Sequence, residues 1–385
     1  MKKVKISIVI PCLNEETIIA DVVSDCILGL KISNLEGQIL IVDSGNDRSG
    51  EIAKSLGAEV IRTEKLGLGK AYIDSLKYIK GDYVVMGDAD STYDYKEINK
   101  FIEKLDEGYE FVMGTRIKGW IEEDAMPKLH RYFGTPLTTW ILNKLFHLNF
   151  SDIHCGMRAM TKQALEKIDL KSTSWEYASE MVIKSGLLKL KTTEVPIHFY
   201  KDKKGRISHL KRSGWWMPWY AGWINLKVML LYAPNFVFFI PGLFSLIMGL
   251  SITIISAFEL LPNFRYHVAL LGLTLTVIGF LIIQLGILSK IFGDLEKYYK
   301  DAISQFIMSR FTYNKGMIIG LGVLFIGFLF DSFLFINWVN NNFRLEKVSI
   351  YGTMGLTLMI LGFQTIFFTF LYEALKLSKN RYDHK

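Results

Sequence analysis

Four apolar runs, at about residues 236–256, 268–288, 316–339 and 350–371, constrain this chain more than anything else in it. Each reaches the roughly 20 residues that a helix needs to cross a hydrocarbon core of about 30 Å. Residues 231–385 are therefore expected to form an all-α transmembrane domain of about four helices. Before residue 230 the pattern changes, because charged side chains punctuate every short stretch. Residues 1–230 are expected to form a separate soluble domain.

Within 1–230, short continuous apolar segments alternate with helical spacing. Residues 6–10, 38–42, 59–62 and 83–86 read as strands, and 15–30, 49–56 and 69–79 as helices. Continuous apolar strands separated by helices predict an α/β fold with a mostly parallel, Rossmann-like sheet covered on both faces. Ligands of such sheets sit beyond the carboxyl ends of the strands. That rule brings residues 11–16, 43–49 and 88–94 to one edge, and these are also the segments richest in polar side chains. The N-terminal lysines and apolar stretch lead to Pro11 and Asn14-Glu15-Glu16 rather than to a small-residue cleavage site. They read as a first buried strand, not a signal peptide.

The formal net charge is +7. Its basic residues gather just before the first apolar run, at Lys201, Lys203, Lys204, Arg206, Lys211, Arg212 and Lys227, which suits anionic lipid better than nucleic acid. No nucleic-acid partner is expected. Basic residues also mark the link between the second and third runs (Lys290, Lys297, Lys300, Arg310, Lys315) and the tail (Lys376, Lys379, Arg381, Lys385). The other two links carry only Arg265, and Arg344 with Lys347. This asymmetry predicts a multi-pass protein of the cell membrane whose soluble domain and C-terminus face the cytosol. The three cysteines, Cys12, Cys26 and Cys155, fit no metal or disulfide pattern and are expected to be reduced thiols. Asp331, at apparent membrane depth, is expected near an interface or against a neighbouring helix.

Asp88-Ala89-Asp90 is the sharpest local signal. Two carboxylates on alternate positions after a buried strand can share a hard divalent cation, which neutralises a diphosphate; a solvated acidic loop is the plainer alternative. Asn14 with Glu15 and Glu16 can cap the first helix and also face a nucleotide. Asp43 ends a strand, where it could take a ribose hydroxyl or a base N–H, or simply make a turn. Residues 66–71, Leu-Gly-Leu-Gly-Lys-Ala, look like a phosphate loop without P-loop spacing, and Lys70 at a helix start is its most credible phosphate contact.

Taken in order, residues 8–16, Ile41-Val42-Asp43, Gly69-Lys70-Ala71 and Asp88-Ala89-Asp90 closely resemble family 2 glycosyltransferases of the GT-A fold. Met113-Gly114-Thr115-Arg116, residues 130–135 and residues 152–158 are similar to the dolichol-phosphate mannose synthase branch, which includes polyprenyl-phosphate sugar transferases. The resemblance covers roughly residues 5–230. It implies Mg²⁺ or Mn²⁺ held by Asp88 and Asp90. Pro11, Asn14, Glu15 and Asp43 would surround a nucleotide-diphospho-sugar, of the GDP-mannose or UDP-glucose kind. Arg116, Arg131 and Thr135 would meet the phosphate of a dolichyl or undecaprenyl acceptor, consistent with the fit of guanidinium groups to phosphate oxygens. Three departures from the family pattern stand out. Thr92 replaces a frequent Gln, Ser44 replaces a second acid after Asp43, and Ser208-His209-Leu210 replaces Ser-Lys-Leu, where Arg206 or Lys204 could substitute.

A phosphate monoester has a second pKa near 6, so such an acceptor is already nucleophilic at neutral pH and needs no strong base. Asp152 is expected to orient the sugar or an arginine, or to cap its loop. Residues 212–223 pack four tryptophans and a tyrosine beside basic residues, as an interfacial platform would. The rival readings are a processive polysaccharide synthase, against which stands the absence of a Gln-x-x-Arg-Trp string, and a non-catalytic membrane scaffold, against which stand both aspartates. The oligomeric state, a homo-oligomer included, is left open.

Overall fold

The computed structural model describes residues 4–203, 217–257, 265–295, 302–343 and 350–383. The chain divides into two compact units, Met1–Tyr232 and Ala233–Lys385.

The first unit is built on a seven-stranded sheet with order β3-β2-β1-β4-β6-β5-β7. Its first four strands are β1 (Ile6–Cys12), β2 (Gly37–Asp43), β3 (Glu59–Arg62) and β4 (Tyr83–Met86). All four run parallel, with Ile8 opposite Ile39 and Val85. Ile6, Ile8, Val9 and Ile10 are fully buried, and burial on this scale stabilises by roughly 1.5–3 kcal/mol per side chain. The intervening helices are α1 (Ile19–Ile32), α2 (Ser49–Ser55) and α3 (Leu68–Ser75). Helix α1 starts four residues later than its periodicity predicts. Asn14 adopts a left-handed conformation (φ 54°) and its amide oxygen accepts the Asn46 N–H at 2.8 Å, so it bridges two loops instead of capping α1.

Beyond β4 come α4 (Ile98–Asp106), β5 (Phe111–Ile121), α5 (Thr135–Phe146), β6 (Arg158–Thr161), α6 (Lys162–Ile168), α7 (Tyr177–Leu187), β7 (Thr192–Phe199) and α8 (Met217–Leu231). Strand β6 runs antiparallel to both β4 and β5, with Met86 and Met113 opposite Arg158. This reversal sets the site, because the segment entering β6 lies at the edge where β4 ends.

The second unit holds α9 (Ile240–Ala257), α10 (Arg265–Leu295), α11 (Ala302–Arg310), α12 (Tyr313–Asn340) and α13 (Ile350–Asp383). Among the described residues four spans are long and apolar enough to cross a membrane: Asn235–Ser256, His267–Asp294, Tyr313–Asn340 and Thr353–Leu377. Several helices outrun the apolar runs at their polar ends, since helical hydrogen bonding does not stop at the lipid boundary. Helix pairs α9–α10 and α12–α13 meet backbone to backbone. A Cβ on Gly249 would lie 2.4 Å from the Thr276 nitrogen, and one on Gly362 2.6 Å from the Leu324 nitrogen. Close approach at small residues is how such helices associate where lipid removes the hydrophobic drive.

One charge sits differently from the sequence expectation, and a second sits against a neighbouring helix as expected. Lys290 belongs to α10 rather than to a loop and is 1% exposed, its Nζ 4.7 Å from the Phe239 ring centre. Asp331 faces the neighbouring helix, where a Cβ on Gly355 would lie 2.4 Å from its Oδ1.

Candidate active site

A cavity of about 570 Å³ opens at the carboxyl ends of β1 and β4. Its wall includes Pro11, Cys12, Leu13, Glu15, Ser44, Asp88, Asp90, Arg116, His154, Arg158 and Trp175.

The aspartate turn is fixed by local bonds. Asp90 Oδ1 accepts the Thr92 N–H at 3.0 Å and the Thr92 hydroxyl at 2.6 Å. Ser91 between them is left-handed, with φ 58°, a conformation that costs a non-glycine residue about 1–3 kcal/mol and clusters at functional sites. The Tyr95 hydroxyl donates to the Asp88 carbonyl at 2.9 Å. A Cβ on Gly156 would lie 2.5 Å from Asp88 Oδ2, so only glycine leaves that carboxylate its space.

These residues fit a divalent cation of the Mg²⁺ type. Such an ion is commonly held by one or two carboxylates plus substrate phosphates rather than by an all-protein cage. Among the described residues no cluster of three His, Cys, Asp or Glu side chains that could hold a metal occurs. Thr92 supports Asp90 instead of standing as an independent oxygen.

Around the nucleotide-side candidates the contacts are structural as well. Asp43 is wholly buried, and its Oδ1 accepts the Gly45 N–H at 2.9 Å. Its Oδ2 lies 3.2 Å from Arg62 Nη1, an ion pair that makes no hydrogen bond. Glu15 is 4% exposed and its N–H donates to Ser49 Oγ at 2.8 Å. The glycine stretch before α3 behaves differently from a phosphate loop. Cβ atoms on Gly67 and Gly69 would lie 2.4 and 2.2 Å from the Thr173 and Ser172 carbonyls. The Lys70 N–H donates to Thr173 O at 2.9 Å, and its ammonium pairs with Asp74. Those glycines permit close packing. Asn14, Asp43 and Lys70 stand behind or beside the cavity wall rather than in it.

On the far side Arg116 and Asp152 are locked together. Nε donates to Asp152 Oδ2 at 2.7 Å and Nη2 to Oδ1 at 2.9 Å, with Arg116 8% and Asp152 0% exposed. Burial alone would raise the Asp152 carboxyl, but the Arg116 guanidinium holds it below the usual carboxylate range. Asp152 therefore orients an arginine. The guanidinium also stacks over Phe199, 5.1 Å from the ring centre.

His154 was not singled out in the sequence, yet its Nε2 lies 2.7 Å from Thr138 Oγ1 and its ring lines the cavity. Burial, with Arg116, Arg158 and His130 nearby, pushes it down to about 4, so it is neutral at physiological pH. Arg158, wholly buried, donates to Cys155 O at 2.6 Å and to Ala178 O at 3.1 Å. The sequence signal for both was the density of polar residues in 152–158, just before a short strand. All three cysteines are buried free thiols, and burial pushes Cys12 and Cys155 up to about 12.

Thr138 belongs to α5, which continues the turn His130–Gly134. Thr135, Thr139, Leu142 and Phe146 face inward, whereas Leu129, Tyr132, Phe133, Leu137 and Trp140 are 41–70% exposed. Arg131 lies among these apolar side chains, its guanidinium 5.5 Å from the Tyr132 ring centre. Neither Arg131 nor Thr135 lines the cavity itself. Lys204, Arg206, residues 208–210 and most of the basic part of 212–223 lie outside the described residues. Of the aromatic part, Tyr220 and Trp223 in α8 are 59% and 58% exposed.

Residues 7–169 match the family described as glycosyl transferase family 2, and residues 287–376 match the family 2 C-terminal transmembrane region. A relative from Haloferax volcanii, the low-salt glycan biosynthesis hexosyltransferase Agl6, is 32% identical over 96% of this chain and 89% of its own length. The chain belongs to glycosyltransferase family 2. This family 2 glycosyltransferase is thus an enzyme with a GT-A-like domain and a membrane protein with four spanning helices. It is also 30% identical, over 52% of its length and 84% of the relative's, to a dolichyl-phosphate hexose transferase of H. volcanii. Among solved structures, mannosyl-3-phosphoglycerate synthase from Rubrobacter xylanophilus aligns with a TM-score of 0.46 at 20% identity, covering 59% of this chain and 73% of that one.

Proposed function

We propose that this glycosyltransferase moves one hexose from a nucleotide-diphospho-sugar, of the GDP-mannose or UDP-glucose kind, to the phosphate of a polyprenyl lipid, with inversion. The observation that carries the reading is the exposed apolar surface of 129–140, with Arg131 set in it and Thr138 joined to His154 in the cavity wall. A phosphate that arrives on a hydrocarbon chain needs both properties at once: apolar surface for the chain and a guanidinium for the head. The names of the Haloferax relatives, a hexosyltransferase and a dolichyl-phosphate hexose transferase, support it.

In this mechanism Pro11, Glu15 and the Asp43 loop bound the nucleoside, and Asp88 and Asp90 would hold Mg²⁺ or Mn²⁺. When bound, the cation would offset charge on the diphosphate as it leaves. Arg131, set in the exposed apolar surface, receives the acceptor phosphate, and Thr135 packs inward beneath it as the first residue of α5. Arg116, kept in place by Asp152, offsets the phosphate's charge and aims its oxygen at the anomeric carbon. No side chain has to remove a proton, because the acceptor is largely a dianion at neutral pH. His154, neutral, joins the two sides as a hydrogen-bonding group.

We infer further that residues 1–230 act as the catalytic domain on the cytosolic side, with the C-terminus on the same side. Arg310 at the end of α11, Lys315 in the first turn of α12 and the basic residues of the tail support this; Lys290, 1% exposed within α10, does not count toward it. The test is to supply full-length protein with polyprenyl phosphate, Mn²⁺ or Mg²⁺ and a panel of radiolabelled UDP- and GDP-sugars. The reading expects one donor to label a mild-acid-labile lipid. Label appearing only in polymer would favour a processive synthase.

A further inference from the structure

The mechanism above leaves unused a tryptophan on the cavity wall and the buried ion pair behind it. Trp175 lines the cavity and is 55% exposed, in the segment joining α6 to α7. That segment is held along its length. Glu180, wholly buried, accepts the N–H groups of Lys171 at 3.0 Å and Ser172 at 2.7 Å. Lys184, equally buried, pairs with Glu180 and donates to the Asp169 carbonyl at 2.8 Å. The Thr173 carbonyl takes the Lys70 N–H, and Gly67 and Gly69 let α3 pack directly on this stretch.

Burying two charges carries a desolvation cost that a pair of apolar side chains would avoid. What this pair secures is the path of a loop whose most prominent side chain is left facing the cavity. An aromatic face held rigid before ligand arrives gives up little entropy on binding.

We infer that Trp175 is a stacking platform for the hexose ring of the nucleotide-sugar, a specificity-determining residue positioned by the Glu180–Lys184 pair; this rests on the donor-cavity reading above. Its neighbours set it by the aspartate turn rather than at the nucleoside end: the ring of Tyr177, two residues on, lies 5.0 Å from that of Tyr72, whose hydroxyl donates to the Gly87 carbonyl at 3.2 Å. The nucleoside candidates lie at β1 and β2, the aspartates follow β4, and β6 lies beyond β4. Tyr177, two residues after Trp175, has the guanidinium of Arg158, the first residue of β6, 5.6 Å from its ring centre. An indole face selects among hexoses by whether their C–H or hydroxyl groups turn toward it.

The test titrates full-length wild type, Trp175→Ala and Trp175→Phe with UDP-glucose, GDP-mannose, UDP and GDP in the presence of Mn²⁺. For the donor that wild type binds, Trp175→Ala should weaken the nucleotide-sugar about tenfold, equivalent to about 1.4 kcal/mol. The matching diphosphate should stay within about twofold, and Trp175→Phe should retain most of the affinity. Unchanged sugar affinity in Trp175→Ala would overturn the inference. So would an equal loss for sugar and diphosphate, which would set the indole against the base. If wild type binds none of the four, the donor-cavity reading fails and this inference with it.

Discussion

Around the ends of β1 and β4, polar side chains are held by the backbone of neighbouring loops: Asp90 by the Thr92 N–H, Asn14 by the Asn46 N–H, Asp43 by the Gly45 N–H. Across the cavity, on the β5 and α5 side, the ionic groups are held by one another or by rings. Arg116 is paired with Asp152, and Arg131 rests near Tyr132 on an exposed apolar helix. The first side is preorganised for a ligand whose parts are all polar. The second combines a guanidinium already committed to a partner with one that sits at the edge of a greasy surface. The contrast teaches that damage to the two sides should look different, total on the first and selective on the second.

The largest expected effect is on the first side. Asp90→Ala should lower transfer by about a thousandfold or more, the scale on which removing electrostatic stabilisation of a developing charge is felt. Near-normal activity in a radiolabel transfer assay would remove Asp90 from the mechanism.

Asp152→Ala comes next, because it leaves a buried arginine without its partner. A loss of about 3–5 kcal/mol is expected, read as a lower unfolding midpoint of the detergent-solubilised protein. The pH dependence has a definite sign. Asp152 is held below the usual carboxylate range, so its contribution is complete above pH of about 4 and fades only as pH falls through the lowered value. Activity lost between pH 8 and 5 should therefore be the same in Asp152→Asn, after scaling to its maximum, as in wild type.

Arg131→Ala should raise KM for polyprenyl phosphate about 10–100-fold, the worth of one or two charge-assisted hydrogen bonds. KM for the nucleotide-sugar should stay within about twofold. A rise in the donor KM instead would erase the division of labour between the two sides.

The last prediction concerns His154 and is read in stability alone. With its pKa pushed down to about 4, the folded protein stays unprotonated there while the unfolded chain takes up a proton below about 6.5. Stability should fall as pH drops from 6.5 toward 4, by up to about 1.4 kcal/mol per pH unit from this group. His154→Gln should flatten that slope, and an unchanged slope would show that His154 titrates normally.

Much of this was legible in the sequence where periodicity and chemistry coincide. Strands 59–62 and 83–86 match β3 and β4 residue for residue, because continuous β-branched runs bounded by turn formers leave little choice. The four spans were equally plain, since length and hydropathy nearly suffice. Failures came where a polar residue had two possible partners. Asn14 looked like a helix cap, but a contact 32 residues away claimed its amide. Gly67 and Gly69 looked like a phosphate loop, but the carbonyls that need their missing side chains lie beyond residue 170. The Arg116–Asp152 pair and the cavity-facing His154 depend on β6 running backwards between β4 and β5, a topological fact that no local pattern announces.

The most direct test of the central claim compares two acceptors that differ only in the phosphate: polyprenyl phosphate and the corresponding polyprenol. Full-length protein, Mn²⁺ and the radiolabelled donor that wild type accepts are held constant. The account predicts label in the organic phase with the phosphate and none above background with the alcohol, since no side chain is assigned to activate a hydroxyl. Equal labelling of the alcohol would contradict it.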